Sequence, residues 1–428
     1  MMLLWMLIPI CQNAFAVVHD RASTPELKAL TRMSPCWADE ELNPLPNYTC
    51  YLRKTATIPE PPQYIRVFNL YDTPLHHAWD NGQPGGIYLG QVQPGKAMTT
   101  TSYRGHSFIF SDTKDGEVKE RVTVDPSQRL WALGVDHKRT TKQALAGEKQ
   151  YLALKEYADK YKAETGRFYI GGWPPAKMSR KVLPGEFLGQ KYNRSSATGG
   201  HWKCESDTNC DINEPLTLTV MVLSVAPRVL LIENFICEEE MDLIRRKSNL
   251  RTATVGDGSN SIVSDTRKSD VGWIDWREPW MKRISQRTAD IFNFKESHLT
   301  AGGLAESLQL ASYNQGGKYS AHFDFGDREH DRMLTLLHYL DPPTFGGGTA
   351  FPLAAGGKGI VVNAPTGTTI AFYSMLEDGN RDELSLHDAL TVEKGSKFVS
   401  NQWIHDRSSK IEQKRKEKAR QRKKDGEL

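Results

Sequence analysis

Apolar and polar positions alternate with a period of two over most of this chain, and Gly, Pro, Asn and Asp cut the alternation at short intervals. Successive strand side chains point to opposite faces, so this rhythm predicts short antiparallel strands. Between residues 64 and 126 it marks strands at 65–68, 96–100 and 107–110, the pattern of a β-sandwich. It returns at 216–232 and dominates from residue 304, with strands expected at 308–313, 333–340, 359–362, 368–373 and 397–400. Three segments follow a helical pattern instead. Residues 140–165 are rich in Ala, Leu, Lys and Glu, lack Pro and end at Gly166, with Leu145, Leu152, Tyr157 and Tyr161 as the expected buried side. Glu238-Glu239-Glu240 ahead of Arg245-Arg246-Lys247 matches charge to a helix dipole. Residues 276–292 place Trp280, Ile284, Thr288 and Ile291 along one side. The expected fold is mainly β with flanking helices: a β-sandwich at 61–136, helix and linker at 137–215, and a double-stranded β-helix (jelly roll) at 216–408. Gly171-Gly172-Trp173-Pro174-Pro175 and residues 195–200 read as the linker between them.

Composition adds a compartment. The chain of 428 residues carries a net charge of +3, but the tail from Lys410 holds nine Lys/Arg against four Asp/Glu, so the folded body is slightly acidic. A basic nucleic-acid surface on that body is therefore not expected. Residues 1–16 are an apolar run closed by Ala14-Phe15-Ala16, the pattern of a signal peptide or a short membrane anchor. Residues 17–60 are a Pro- and Cys-containing segment in which Cys36 and Cys50 lie close together, and Cys204 and Cys210 form a second close pair. Two local disulfides are expected, with Cys237 left as a packed thiol. The sequons Asn47-Tyr48-Thr49 and Asn193-Arg194-Ser195 and the terminal Asp425-Gly426-Glu427-Leu428, similar to a retrieval signal, fit the lumen of the endoplasmic reticulum. The tail at 409–428 reads as a solvated appendage.

Candidate chemistry concentrates between Tyr313 and Trp403. In an extended strand His322 and Asp324 project to one face and offer a neutral nitrogen and an anionic oxygen to one point. If His387 folds back from a later strand, two imidazoles and one carboxylate cap one face of a divalent ion and leave positions open, the facial triad of non-heme Fe(II) oxygenases. A structural zinc would want four closed ligands. Asp388, next in sequence, is expected to face away, and His330, His338 and His405 to play structural parts.

From about Val225 to Asp406 the chain strongly resembles the prolyl 4-hydroxylases of the 2-oxoglutarate and Fe(II)-dependent dioxygenases. The resemblance rests on Tyr313-x8-His322-x-Asp324, Arg332-x2-Thr335-x3-Tyr339-Leu340, Gly347-Gly348-x-Ala350-Phe351-Pro352, Ser385-Leu386-His387, Gly395-x-Lys397 and Trp403-Ile404-His405, in family order. It implies that His322, Asp324 and His387 bind iron and that Lys397 pairs with the distal carboxylate of 2-oxoglutarate. It also implies that Tyr313 and Thr349 hold this cosubstrate, and that Arg332 and Trp403 stand near a peptide groove. The implied reaction is procollagen-type 4-hydroxylation of peptidyl proline with O2, yielding succinate and CO2, with L-ascorbate keeping the iron reduced. An inactive dioxygenase domain in a binding protein, or hydroxylation of another side chain, are the alternatives, since substrate choice lives in loops.

Asn69, Trp79, Pro94-Gly95 and Thr101-Ser102-Tyr103-Arg104-Gly105-His106 resemble the β-domain of the von Hippel–Lindau protein. That domain recognises hydroxyproline in a peptide. The resemblance implies that Ser102 and His106 are a hydroxyl-binding pair, with Phe108 where the family has Trp and Leu89 where it has a pocket Tyr. No counterpart of the ligase-recruiting helical element is present, so no ubiquitin role is implied.

Overall fold

The computed structural model describes residues 36–37, 48–52, 61–202 except 115, 215–254 except 248, 265–295 except 276, 299, 303–325 and 332–406. The apolar run at 1–16, Asn47, the pair Cys204 and Cys210, Trp276, His330 and the tail at 409–428 lie outside the described residues.

Two antiparallel sheets make the jelly roll of the C-terminal half. Among the described residues the larger runs Lys191–Ser196, Leu216–Ser224, Val229–Ile232, Thr369–Tyr373, Arg332–Asp341, Lys397–His405, Leu308–Tyr313, Asp270–Ile274, Arg251–Thr252. The smaller runs Cys36–Trp37, Thr49–Leu52, Ile360–Val362, Thr349–Phe351, His387–Ala389, Lys318–His322, Arg267–Lys268. Period-two alternation divides the larger sheet into its two faces. Leu218, Val220, Leu334 and Leu336 pack outward with the helices Glu238–Lys247 and Met281–Phe292, while Leu223, Leu231, Tyr339 and Val399 pack inward with Phe351 and Val362 of the smaller sheet. Trp280, Ile284, Thr288 and Ile291 are all buried, as their spacing predicts.

Among the described residues three strands join these sheets from upstream of the expected 216–408. Cys36–Trp37 pairs with Thr49–Leu52, which pairs with Ile360–Val362, and Lys191–Ser196 pairs with Leu216–Ser224. Ser195 and Ser196 thus end a strand where the small-residue run predicts a linker. The partners are tertiary: Arg194 Nε donates to Ile291 O at 3.0 Å, and Ser195 Oγ meets Thr217 Oγ1 at 2.9 Å across the ladder.

The two covering elements are tied by a fully buried ion pair. Arg287 donates to Glu240 through Nη1 at 3.0 Å and Nη2 at 2.8 Å, and to the carbonyls of Gly199, Gly200 and Phe235. Removing one partner leaves an uncompensated buried charge. Glu240→Ala is expected to cost about 3–5 kcal/mol, read from denaturant unfolding of this domain. Cys237 nearby donates to Trp202 O at 3.3 Å, and burial pushes its thiol up to about 12, so it is a packed thiol. His338 is buried, bonded through Nδ1 to Thr369 Oγ1 at 2.7 Å and stacked on Phe235, a structural histidine.

The N-terminal half is a sandwich of a three-stranded sheet, Ala97–Ser102, Gln63–Asn69, Leu130–Leu133, and a four-stranded sheet, Ile87–Val92, Leu75–Asp80, Ser107–Ser111, Glu120–Thr123. Ile65, Val67, Leu75, Phe108 and Phe110 fill it. The outer side of the smaller sheet carries Phe68 and Leu70 against the helix Lys142–Thr165, which Thr141 caps and Gly166 ends in the left-handed region at φ 71°. The buried side of that helix is the expected one only in part. Tyr161 is buried and Tyr157 packs beside it, but Leu145 and Leu152 are exposed, and Ala144, Gly147 and Leu154 face the sandwich with Tyr161. Close approach decides the face: a Cβ at Gly147 would collide with the backbone of Gly95, so the helix turns its small residues inward.

Candidate active site

His322 ends the strand Lys318–His322 and His387 begins His387–Ala389; the two are direct register partners on neighbouring antiparallel strands. Their rings lie 4.4 Å apart. Asp324 follows in a bend past the strand end, so the carboxylate reaches the histidines because the chain turns, not because the strand continues. His322 Nε2 lies 3.9 Å from Asp324 Oδ1, and His387 Nε2 lies 3.7 Å from Oδ2. One ligand atom from each of the three falls within 4.8 Å of the others.

Backbone carbonyls fix the orientation of both rings. His322 Nδ1 bonds Ser320 O at 2.9 Å and His387 Nδ1 bonds Ser385 O at 3.0 Å, which places the Nδ1 protons on carbonyls and leaves each Nε2 lone pair facing the centre. Thr335 Oγ1 donates to Asp324 Oδ2 at 2.6 Å. Burial pushes His322 down to about 3, so it stays neutral at working pH. Burial alone would raise Asp324, but His387, His322, Arg332 and the Thr335 hydrogen bond outweigh it and hold the carboxyl below its usual range. Two imidazole nitrogens and one carboxylate oxygen on one side of a cavity fit Fe(II) with open positions.

The cavity beside them, about 230 Å³, is walled by alternate residues of the larger sheet: Lys397, Val399, Asn401 and Trp403 from one strand, Gln309 and Tyr313 from the next. Lys397 sits at its buried end, 1 % exposed, its Nζ donating to Gly347 O at 2.7 Å and reaching Thr349 Oγ1 at 3.5 Å. Tyr339 OH meets the same Thr349 hydroxyl. Tyr313 pairs with Lys397 across the ladder, and its phenol is pushed up to about 12 by burial, so it is neutral. Burial also brings Lys397 down to about 7, with Asp388 opposing the shift. At the open end the Arg332 guanidinium lies 3.7 Å over the Trp403 ring, and Trp273, half exposed, meets Trp403 at 5.9 Å. Glu306 fixes Arg332 by bonds of 2.6 and 2.9 Å and takes a third from His405 at 2.9 Å. Burial opposes it, yet these partners hold the Glu306 carboxyl down at about 2.

The structure therefore brings His322, Asp324, His387, Lys397, Tyr313, Thr349, Arg332 and Trp403 around one cavity. Asp388 is a correction: it lines that cavity instead of facing away, because the ladder to Lys318–His322 is irregular between Tyr319 and His322 and the strand His387–Ala389 is too short to impose strict alternation. Thr335, Glu306 and Trp273 were not singled out as site residues from sequence. Thr335 had a signal, since it shares the inward face with Leu337 and Tyr339 at a spacing of two.

In the N-terminal sandwich Ser102 Oγ meets His106 Nδ1 at 3.1 Å, with Trp79 and Tyr103 each 5.5 Å from the His106 ring. Phe108 is the register partner of Trp79 on the neighbouring strand and is buried in the sandwich core with Phe110, two residues on and on the same face.

A triad of this geometry, beside a buried lysine in a jelly roll, can hold Fe(II) with positions left open for a chelating anion and O2. Residues 308–405 match the 2OG-Fe(II) oxygenase superfamily. Within that class the chain is similar to prolyl 4-hydroxylases. It is 30% identical over 203 residues to the prolyl 4-hydroxylase subunit alpha-1 of Homo sapiens, covering 43% of this chain and 36% of the relative. Subunit alpha-2 of Gallus gallus is 31% identical over 199 residues, 44% and 35% of the two chains. Among solved structures, the viral collagen prolyl hydroxylase of Paramecium Bursaria Chlorella virus-1 matches with a TM-score of 0.33 and 25% identity, covering 41% of this chain and 95% of that one. The chain spans about a third of the length of the curated relatives it matches.

Lys397 gives a pH signature. The unliganded ammonium loses its proton as pH rises through about 7, and binding an anion to the charged form then requires proton uptake. KM for 2-oxoglutarate is expected to be lowest below pH 7 and to rise by about tenfold per pH unit above it, until the pKa of the bound form is reached. A KM–pH profile checks this, and a flat one contradicts it.

Proposed function

We propose that this chain is a prolyl 4-hydroxylase acting on proline-containing peptides of the secretory pathway. The observation that carries the reading is that one cavity holds the His322–Asp324–His387 centre, the buried Lys397, and an aromatic rim of Trp403 and Trp273 beside Arg332. Bound Fe(II) and 2-oxoglutarate supply the oxidation by O2: one oxygen atom enters a proline C–H bond, the other enters succinate, and CO2 leaves. The chain's own groups bind and orient. Lys397 takes the distal carboxylate as a compact charge out of water, and Tyr313 and Thr349 offer it hydroxyls. Thr335 holds Asp324, and the Ser320 and Ser385 carbonyls hold the histidines. The apolar rim suits a pyrrolidine ring, and Arg332 supplies donors to a peptide backbone. L-ascorbate is the expected reductant for iron oxidised in uncoupled turnovers.

The expected leader at 1–16 and the disulfide-bonded state of Cys50 support a lumenal setting in the endoplasmic reticulum. Among the described residues no helix is long and apolar enough to cross a membrane. The test is to incubate the purified chain with Fe(II), 2-oxoglutarate and a panel of proline peptides beside a His387→Ala control. Succinate and a peptide heavier by one oxygen atom should form together. No turnover above the control on any peptide would overturn the reading.

A second reading concerns the sandwich, favoured by the Ser102–His106 pair beside Trp79 and Tyr103. It would bind the hydroxyproline that the active site makes. Tighter binding of a hydroxyproline peptide than of its proline counterpart to the full chain, lost in Ser102→Ala, is expected; equal affinities would end this reading.

A further inference from the structure

The N-terminal half does not stand apart from the iron centre. Tyr64, on the strand Gln63–Asn69, turns its ring out of the sandwich and meets Phe325 edge-on at 6.4 Å. Phe325 is the residue after Asp324, and it stacks on Phe323, the residue before, at 4.5 Å and 18°. The Arg381 guanidinium closes this cluster, 4.4 Å over the Tyr64 ring and 5.4 Å over Phe325. Tyr64 and Phe325 are each no more than 3% exposed. The turn that presents Asp324 is thus wedged between a ring of the sandwich and a cation of the jelly roll.

His387 is held from the same direction. Ahead of it, the segment 378–383 is fastened residue by residue to chain upstream of 171. Tyr161 OH donates to Asp378 Oδ2 at 2.7 Å, Ile170 N to Asn380 Oδ1 at 2.9 Å, Asn380 Nδ2 to Phe168 O at 2.8 Å, and Arg129 Nε to Glu383 Oε1 at 2.8 Å. Asp382 then caps the short turn Glu383–Ser385, and Ser385 N donates to Asp382 O at 3.0 Å. Ser385 O is the carbonyl that orients the His387 ring. An unbroken sequence of contacts therefore runs from Arg129 through Glu383 and Ser385 to His387.

We propose that the N-terminal sandwich and its linker are a positioning element for the iron site, with Tyr64 setting Asp324 and Arg129 setting His387. This rests on the reading of His322, Asp324 and His387 as iron ligands, and it adds that two of the three depend on residues outside the jelly roll. Ligands acquire affinity from the groups that fix them, and loss of such a group costs about 10–100-fold in metal binding. A merely structural contact would lower stability and leave metal affinity unchanged.

The test uses the full chain and reads Fe(II) binding anaerobically by titration calorimetry, together with the visible charge-transfer band formed when 2-oxoglutarate is added. Tyr64→Leu keeps apolar bulk but loses the ring; Tyr64→Phe keeps the ring; Arg129→Gln releases Glu383. Circular dichroism at the titration temperature establishes that each variant is folded. Expected is Fe(II) affinity about tenfold or more weaker in Tyr64→Leu, restored in Tyr64→Phe, and weaker by a smaller factor in Arg129→Gln. Should Tyr64→Leu not fold, Arg129→Gln decides, since Arg129 and Glu383 are partly exposed and tolerate separation. Wild-type affinity in the folded variants overturns the proposal. A wild-type chain that binds Fe(II) in this way yet hydroxylates no peptide would end the functional reading and leave this one standing.

Discussion

Asp324→Asn is expected to remove turnover and to weaken Fe(II) binding by more than about 100-fold. The substitution keeps the size of the side chain and its place beside Thr335, and removes only the anion. Groups that merely orient metal ligands are worth about 10–100-fold in affinity, so loss of a ligand charge should exceed that range. The substitution also leaves His322 and His387 converging on a point with no negative partner. Anaerobic Fe(II) titration checks the affinity, and succinate formation checks the turnover. Retention of either at wild-type level would exclude Asp324 from the metal site.

Lys397→Ala should act on the cosubstrate instead. Lys397 is 1 % exposed and its partners are the Gly347 carbonyl and the Thr349 hydroxyl, so a carboxylate arriving there meets a buried amine whose charged form it stabilises. Truncating one partner of a buried charge pair costs about 2–5 kcal/mol, which raises KM for 2-oxoglutarate by roughly 30-fold to several thousand-fold. Fe(II) binding in the absence of cosubstrate should change little. Lys397→Arg is expected to recover only part of the loss, because the wider guanidinium must fit where Gly347 and Thr349 close around a compact amine. Initial rates against 2-oxoglutarate concentration separate this outcome from a general loss of activity.

The jelly roll was legible because its strands obey a single rule. Where a strand buries both faces, as Arg332–Asp341 does, it reads as a continuous apolar run; where one face lines the cavity, as with Lys397–His405, functional residues recur at every second position. Tyr313, Lys397 and Trp403 fell into place for that reason. What alternation could not give is geometry set by bends and by tertiary partners. Asp324 lies beyond its strand and Asp388 on an irregular ladder, so period-two reasoning reached the first by coincidence of spacing and misplaced the second. Leu145 and Leu152 were expected to be buried by apolarity, but the helix packs its Gly147 against Gly95, and contact distance overrode hydrophobicity. Phe108, matched to a pocket position by resemblance, alternates with Ile109 to face the sandwich interior, where it stands beside its register partner Trp79. Trp273 carried no motif of its own; it becomes a rim residue only through pairing with Gln309 on the neighbouring strand.

Whether iron, 2-oxoglutarate and a proline residue meet in the cavity between Lys397 and Trp403 is decided by supplying heavy-isotope-labelled O2 to the full chain with Fe(II), 2-oxoglutarate and a proline peptide, and following the label by mass spectrometry. The expected product is 4-hydroxyproline carrying one labelled oxygen, with one labelled oxygen in an equal amount of succinate. Succinate released without hydroxyproline on any peptide offered, or a hydroxyl oxygen drawn from water, would contradict that expectation.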